Sequence, residues 1–192
     1  MYPNEYEIKI LALYLRDYSA EYYLREISRL AEISLKATQN GLQSLEKQKI
    51  ILSRTHGKNK YFRLNRENIQ AKLQLIQAEI YRTNLFFDKY PALKIFAKEL
   101  KTNTTKIIFG SFAKFSADRN SDLDLLVISK RKESLPEHLL PNRLQQINLS
   151  EKSFFNALKS SEPLINEIKK DHIILNNHSF YVDLMWENEK RY

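Results

Sequence analysis

The stretch at residues 106–129, KIIFGSFAKFSADRNSDLDLLVIS, limits what this chain can fold into more than any other. An apolar run at 107–109 breaks at Gly110-Ser111, and about ten residues later a second apolar run carries Asp122 and Asp124. Apolar runs bounded by a turn read as strands of an α/β layer. Strand residues alternate faces, so Asp122 and Asp124 point the same way while Leu123 and Leu125 enter the core. Two carboxylates on one face repel unless a cation lies between them, and Mg²⁺ (or Mn²⁺) suits hard oxygen ligands shared with phosphates. Gly110 lets the backbone approach a phosphate closely, and Ser111, opening a helix, offers a hydroxyl and backbone N–H groups. Lys114 is either a further phosphate contact or a solvated helix lysine. The plain alternative for the whole stretch is an acidic loop on an α/β domain.

The segment GSFAKFSADRNSDLDLLV resembles the Gly-Ser, gap, Asp-x-Asp signature of the polymerase-beta-like nucleotidyltransferase superfamily, especially its minimal members. The resemblance covers about residues 102–180. It implies that Gly110 and Ser111 hold a nucleoside triphosphate, and that Asp122 and Asp124 bind the divalent metal and serve catalysis. Two departures stand out. The family commonly has a second Gly where this chain has Phe115, whose ring would narrow the nucleotide pocket. Active members also carry a third carboxylate on the next strand, and in the strand expected at 146–150, after a helix near 135–145, the matching position reads Asn148, a neutral amide that cannot act as a base. Asp183, in the strand-like run 179–186, is the only other carboxylate set in an apolar strand. It is a candidate third acid, with a surface aspartate as the alternative. The 165–175 pattern reads as a closing helix.

Upstream, Ile8, Leu11 and Leu15 give a first helix, and Leu24, Ile27, Leu30 and Ala31 a second. Ser34 can cap a third, from Leu35 to Lys47, that buries Leu35, Thr38, Leu42 and Leu45 and leaves Lys36, Gln39, Asn40 and Gln43 outward. A β-hairpin with a basic tip follows, carrying Arg54, Lys58 and Lys60. Three helices and a hairpin over residues 5–65 resemble the winged helix-turn-helix domains of small prokaryotic regulators. Residues 33–65 hold seven basic side chains and one acidic one, a balance that favours a polyanion. Double-stranded DNA is the implied partner: the outward face of the third helix would read bases, where Gln and Asn suit adenine and Lys suits guanine, and the hairpin cations would lie on phosphates. Such domains also dock proteins, and a basic face can be merely solvated.

Between these parts, Ile69, Leu73, Ile76, Ile80, Thr83 and Phe87 alternate in steps of four and three, as in a coiled-coil seam. A long helix is expected, pairing with its copy in a homodimer or folding back on its own chain. Pro91 ends it, and a short helix resumes at 92–101.

The expected architecture is α+β: a winged helix at 1–66, a helical connector at 67–101, and an α/β nucleotidyltransferase-like domain with a mixed sheet at 102–192. The chain has no Cys, which excludes disulfides and thiolate metal sites and suits the cytoplasm. It has three Gly, which excludes a dinucleotide-binding fingerprint. No apolar run reaches membrane-spanning length, and no signal peptide opens the chain. The functional expectation is a DNA-binding regulator whose second domain binds Mg–nucleoside triphosphate, with catalysis weak or lost. The alternative is an active enzyme that transfers a nucleoside monophosphate to a small molecule or to a protein, such as a toxin partner. A third possibility is a pure docking module.

Overall fold

The computed structural model describes residues 3–100, 104–160 and 162–189. Two compact units divide the chain, one made of residues up to Glu79 together with those from Met185 onward, the other running from Ile80 to Leu184.

In the first unit, α1 (Glu5–Ala12) opens with a capping box: Asn4 accepts from the Glu7 backbone while the Glu7 carboxylate accepts from the Asn4 backbone. A three-residue strand, β1 (Glu21–Tyr23), precedes α2 (Leu24–Leu30) and α3 (Leu35–Lys47). Ser34 caps α3 by accepting the Ala37 N–H at 3.2 Å; Thr38, Leu42 and Leu45 are buried as expected, whereas Leu35, in the first turn, is exposed rather than buried. The hairpin β2 (Ile51–His56) and β3 (Asn59–Leu64) follows, and β3 lies between β1 and β2 in an antiparallel sheet. Ile10, Leu11, Ile27, Leu45 and Phe62 form the core beneath it, and the buried Tyr14 hydroxyl donates to the Phe62 carbonyl at 2.9 Å. The helix α4 (Ile69–Lys89) contributes Ala71, Leu75 and Ala78 to the buried residues here.

The second unit is built on a four-stranded mixed sheet in the order β6, β5, β4, β7: β4 (Thr105–Phe109), β5 (Leu123–Ile128), β6 (Leu144–Leu149) and β7 (Ile173–Asn176). The pairs β4–β5 and β4–β7 are antiparallel, and β5–β6 is parallel. All five residues of β4 are buried, so apolar side chains cover both its faces. On one face Ile108, Leu123, Leu125 and Val127 pack with Phe86 of α4, Leu93 and Phe96 of α5 (Leu93–Lys98), and Phe112 of the single turn α6 (Gly110–Ala113). Other buried residues come from α7 (Glu151–Ser160), α8 (Pro163–Lys170) and α9 (His178–Glu189).

One lysine is fully enclosed. Lys106 on β4 has no exposed surface, and its ammonium meets Glu133 at 3.0 Å and the Thr104 hydroxyl at 2.8 Å. Beside it lies a cavity of about 310 Å³ lined by Glu99, Leu100, Ser134 and His138 among others.

Three local expectations are corrected. The run 179–186 is not a strand; it lies in α9, so Asp183 is a half-buried helix residue. Buried positions Tyr181, Val182, Met185 and Trp186 follow helical spacing, which an almost uniformly apolar run also permits. The helix expected near 135–145 is only a 3-10 turn, Glu137–Leu139, because Pro136 and Pro141 bracket it. The helix expected over 165–175 stops at Lys170, where Asp171 turns extended, and the chain then adds β7 to the sheet edge against β4. Among the described residues, no helix is long and apolar enough to cross a membrane.

Candidate nucleotide site

The strand β4 delivers the chain to Gly110, where φ is +67°. L-residues avoid that left-handed region, so glycine is the residue that turns here without strain. A second constraint is spatial: a Cβ at Gly110 would stand 2.3 Å from the Asp124 carboxylate oxygen Oδ2. The cross-strand pairing of Phe109 with Asp124 enforces this approach. The Gly-Ser turn and the second aspartate, 14 positions apart, are thus one site.

Asp122 immediately precedes β5, and Asp124 lies within it, both half-buried. Burial first, then the Glu167 and Asp122 carboxylates, pushes the Asp124 carboxyl above the usual aspartate range, with Lys114 pulling the other way. An incoming divalent cation would relieve that repulsion, so the donor set fits a hard cation. Among the described residues, no three His, Asp or Glu side chains already form a metal-holding group.

The loop between Ser111 and Asp122 is held by an Asx-type turn. Asp118 accepts from the Asn120 backbone at 2.9 Å and the Ser121 hydroxyl at 3.0 Å, and these bonds hold its carboxyl below the usual range. Ser111 is half-buried in α6, which is a single turn. With so short a helix, phosphate contacts would rest on local N–H groups, the Ser111 hydroxyl and Lys114 rather than on an extended macrodipole.

Position 148 does not face this site. In the parallel β5–β6 ladder Asp124 is opposite Gln145, and Val127 is opposite Asn148. Asn148 therefore shares the far face with Gln146, whose Nε2 donates to its Oδ1 at 3.0 Å. The neutral amide beside the carboxylates is Gln145, which donates to Asp122 Oδ2 at 2.5 Å. Phe115 also differs from expectation. Its φ is +57°, a left-handed conformation natural to glycine, while its ring packs on Phe86 at a centroid distance of 6.4 Å. The ring is partly buried and packs against the core cluster.

The sequence reading missed Glu167. This α8 residue binds Lys114 at 2.8 Å, and its hydrogen bond and charge raise the Lys114 ammonium above its ordinary value. Four residues on, Asp171 lies 3.8 Å from Arg82, whose guanidinium also reaches the Ala113 carbonyl at 3.4 Å. His172 is structural, bonding the Ile168 carbonyl at 2.8 Å and packing against Tyr181.

In the first unit, Lys36, Gln39, Asn40 and Gln43 are all exposed on α3. Lys58 is exposed in the hairpin turn. Two hairpin cations are tethered: Arg54 to Glu21 at 2.6 Å and Lys60 to Glu46 at 2.9 Å, with Lys60 also 5.2 Å above the Phe62 ring.

Residues 93–180 match the family model for Polymerase beta, Nucleotidyltransferase. This part of the chain is a nucleotidyltransferase-like domain, and it contains Gly110, Ser111, Lys114, Asp122, Asp124 and Glu167. No curated protein and no solved structure matched the chain.

Proposed function

We propose that the protein is a DNA-binding regulator whose nucleotidyltransferase-like domain binds a Mg²⁺–nucleoside triphosphate and has slow or no turnover. The observation that carries the nucleotide half is the contact between the Gly110 turn and the Asp124 carboxylate, inside the matched domain. In this reading the Gly110–Ser111 turn and Lys114 hold the phosphates, and Asp122 and Asp124 hold the cation. When bound, that cation would neutralise both carboxylates and the triphosphate and polarise a phosphoryl oxygen. Gln145, an amide beside Asp122, supports binding over transfer, because an amide cannot take a proton from an acceptor hydroxyl. Calorimetric titration of the full chain with nucleoside triphosphate is expected to show Mg²⁺-dependent binding that is lost in Asp122→Asn. Binding that persists undiminished in that variant would reject the assignment.

A second reading, an active transferase acting on a small molecule or on a protein such as a toxin, is supported by Phe115. Its backbone keeps the left-handed turn and its ring is drawn into the core, so the departure from glycine need not close the pocket.

The DNA half rests on the element order of the first unit, helix, short strand, two helices and hairpin, together with the exposed amides of α3. Lys36, Gln39, Asn40 and Gln43 would face bases, and Arg54, Lys58 and Lys60 phosphates. Replacing Lys58 by Gln is expected to flatten the slope of log affinity against log salt by about 0.9. Lys60→Gln should flatten it less, since Glu46 already balances that charge. Fluorescence anisotropy with duplex DNA across a salt series measures both.

We further propose that α4 joins two copies of the chain. Ile69, Leu73 and Ile80 are exposed along it, whereas Thr83 is buried and Phe87 is packed on the core, which leaves the first half of the seam for a partner. Placing Glu at both Leu73 and Ile80 is expected to give a monomer in light scattering, and a wild-type monomer at high micromolar concentration would refute the pairing.

A further inference from the structure

Glu167 on α8 and Asp171, the extended residue just beyond its end, present two acids to two cations of the same unit, and the two ion pairs differ in kind. Arg82 and Asp171 are mostly enclosed, their side chains 11% and 15% exposed. Lys114 and Glu167 are open to solvent, 45% and 44% exposed, although their charged atoms are only 2.8 Å apart. An exposed pair is held weakly and exchanges partners readily, whereas an enclosed one does not. The inner pair therefore anchors α8 while the outer pair is free to open by side-chain rotation alone.

Lys114 follows directly on the single turn that begins at Gly110 and Ser111. Its ammonium lies within the electrostatic reach of Asp124 as well as of Glu167 and Asp171. The Glu167 carboxylate thus sits on the lysine that follows the Gly-Ser turn.

We propose that Glu167 is an internal stand-in for phosphate: its carboxylate occupies on Lys114 the place a triphosphate oxygen takes, and nucleotide binds by displacing it. This inference rests on the nucleotide-binding reading given above and adds an affinity-setting residue to that site. The exchange conserves charge pairing at Lys114. It also leaves Glu167 as an unmatched carboxylate at the rim, which opposes polyanions that cannot bring a divalent cation with them. Glu167 acts through Lys114 and is a positioning residue, not a catalytic one.

The test is a double-mutant cycle on the full chain, titrated with Mg²⁺ plus each of the four nucleoside triphosphates and with Mg²⁺ plus inorganic tripolyphosphate as a base-free probe. Glu167→Gln is expected to tighten binding about two- to five-fold, the range set by opening an exposed ion pair. Lys114→Gln should weaken it, and in that background Glu167→Gln should have no further effect. Thermal unfolding of each variant separates these effects from loss of fold. Unchanged or weaker binding in Glu167→Gln, or equal tightening with and without Lys114, overturns the proposal while wild-type binding upholds the site. Absence of binding by every variant, all of them folded, rejects the nucleotide reading and this inference with it.

Discussion

Gly110→Ala is expected to abolish Mg²⁺-dependent nucleotide binding, whereas Gly57→Ala leaves it intact. Both glycines have left-handed backbone, at φ +67° and +59°, so alanine at either costs about 1–2 kcal/mol from chirality alone. They differ in what surrounds the new methyl group. At Gly57, in the turn between β2 and β3, nothing lies within 4 Å, while at Gly110 the Asp124 carboxylate oxygen is 2.3 Å away. That oxygen is part of a carboxylate on a paired strand and cannot move aside without turning the proposed cation ligand out of place. Overpacking of this kind adds about 1–3 kcal/mol, so Gly110→Ala should also lower the unfolding temperature more than its counterpart. Calorimetric scans and nucleotide titrations of the two variants make the comparison. Equal binding by both would separate the Gly-Ser turn from Asp124 in function.

The second large effect concerns the missing acid. Gln145→Glu is expected to raise transfer of label from α-labelled nucleoside triphosphates by roughly 10²–10⁴-fold, the scale of general-base catalysis. Asn148→Asp should give no gain. Gln145 is nearly isosteric with glutamate and already touches Asp122, whereas Asn148 lies on the opposite face of β6 beside Gln146. A gain at 148 without one at 145 would mean that β6 is set in another register during transfer. No gain at either would show that the absent acid is not what limits transfer.

The contrast between these two positions shows how the sequence was legible and where it stopped. The Gly-Ser turn and Asp122-x-Asp124 could be read because strand alternation and a tight turn are local matters. Asn148 could not be placed, since a shift of three residues along a strand reverses its face and only the pairing with β5 sets the register. The spacing of α3 and the capping by Ser34 were visible for the same local reason, and the helix has the expected bounds. The strand β1 was not visible: three residues, Glu21–Tyr23, are a strand only because β3 lies alongside them. The run around Asp183 reads as a strand because its neighbours are apolar, a pattern without a distinguishing period, yet it lies in α9. Glu167 left no signal at all, being 43 positions from Asp124 and brought to Lys114 only by the packing of α8.

The enclosure of Lys106 bears on how the second unit opens. Residues 129–143 contain no regular element beyond one 3-10 turn, and such a segment would ordinarily fray on its own. Glu133 lies within it, and its carboxylate meets a lysine that has no exposed surface. Lifting the segment away would strip that ammonium of its carboxylate, and breaking a buried pair on one side costs about 3–5 kcal/mol. A penalty of that size is comparable to much of a domain's stability. The segment is therefore tied to the sheet's own unfolding, and its amide protons should exchange with solvent on the slow timescale of β4 rather than on that of a surface loop.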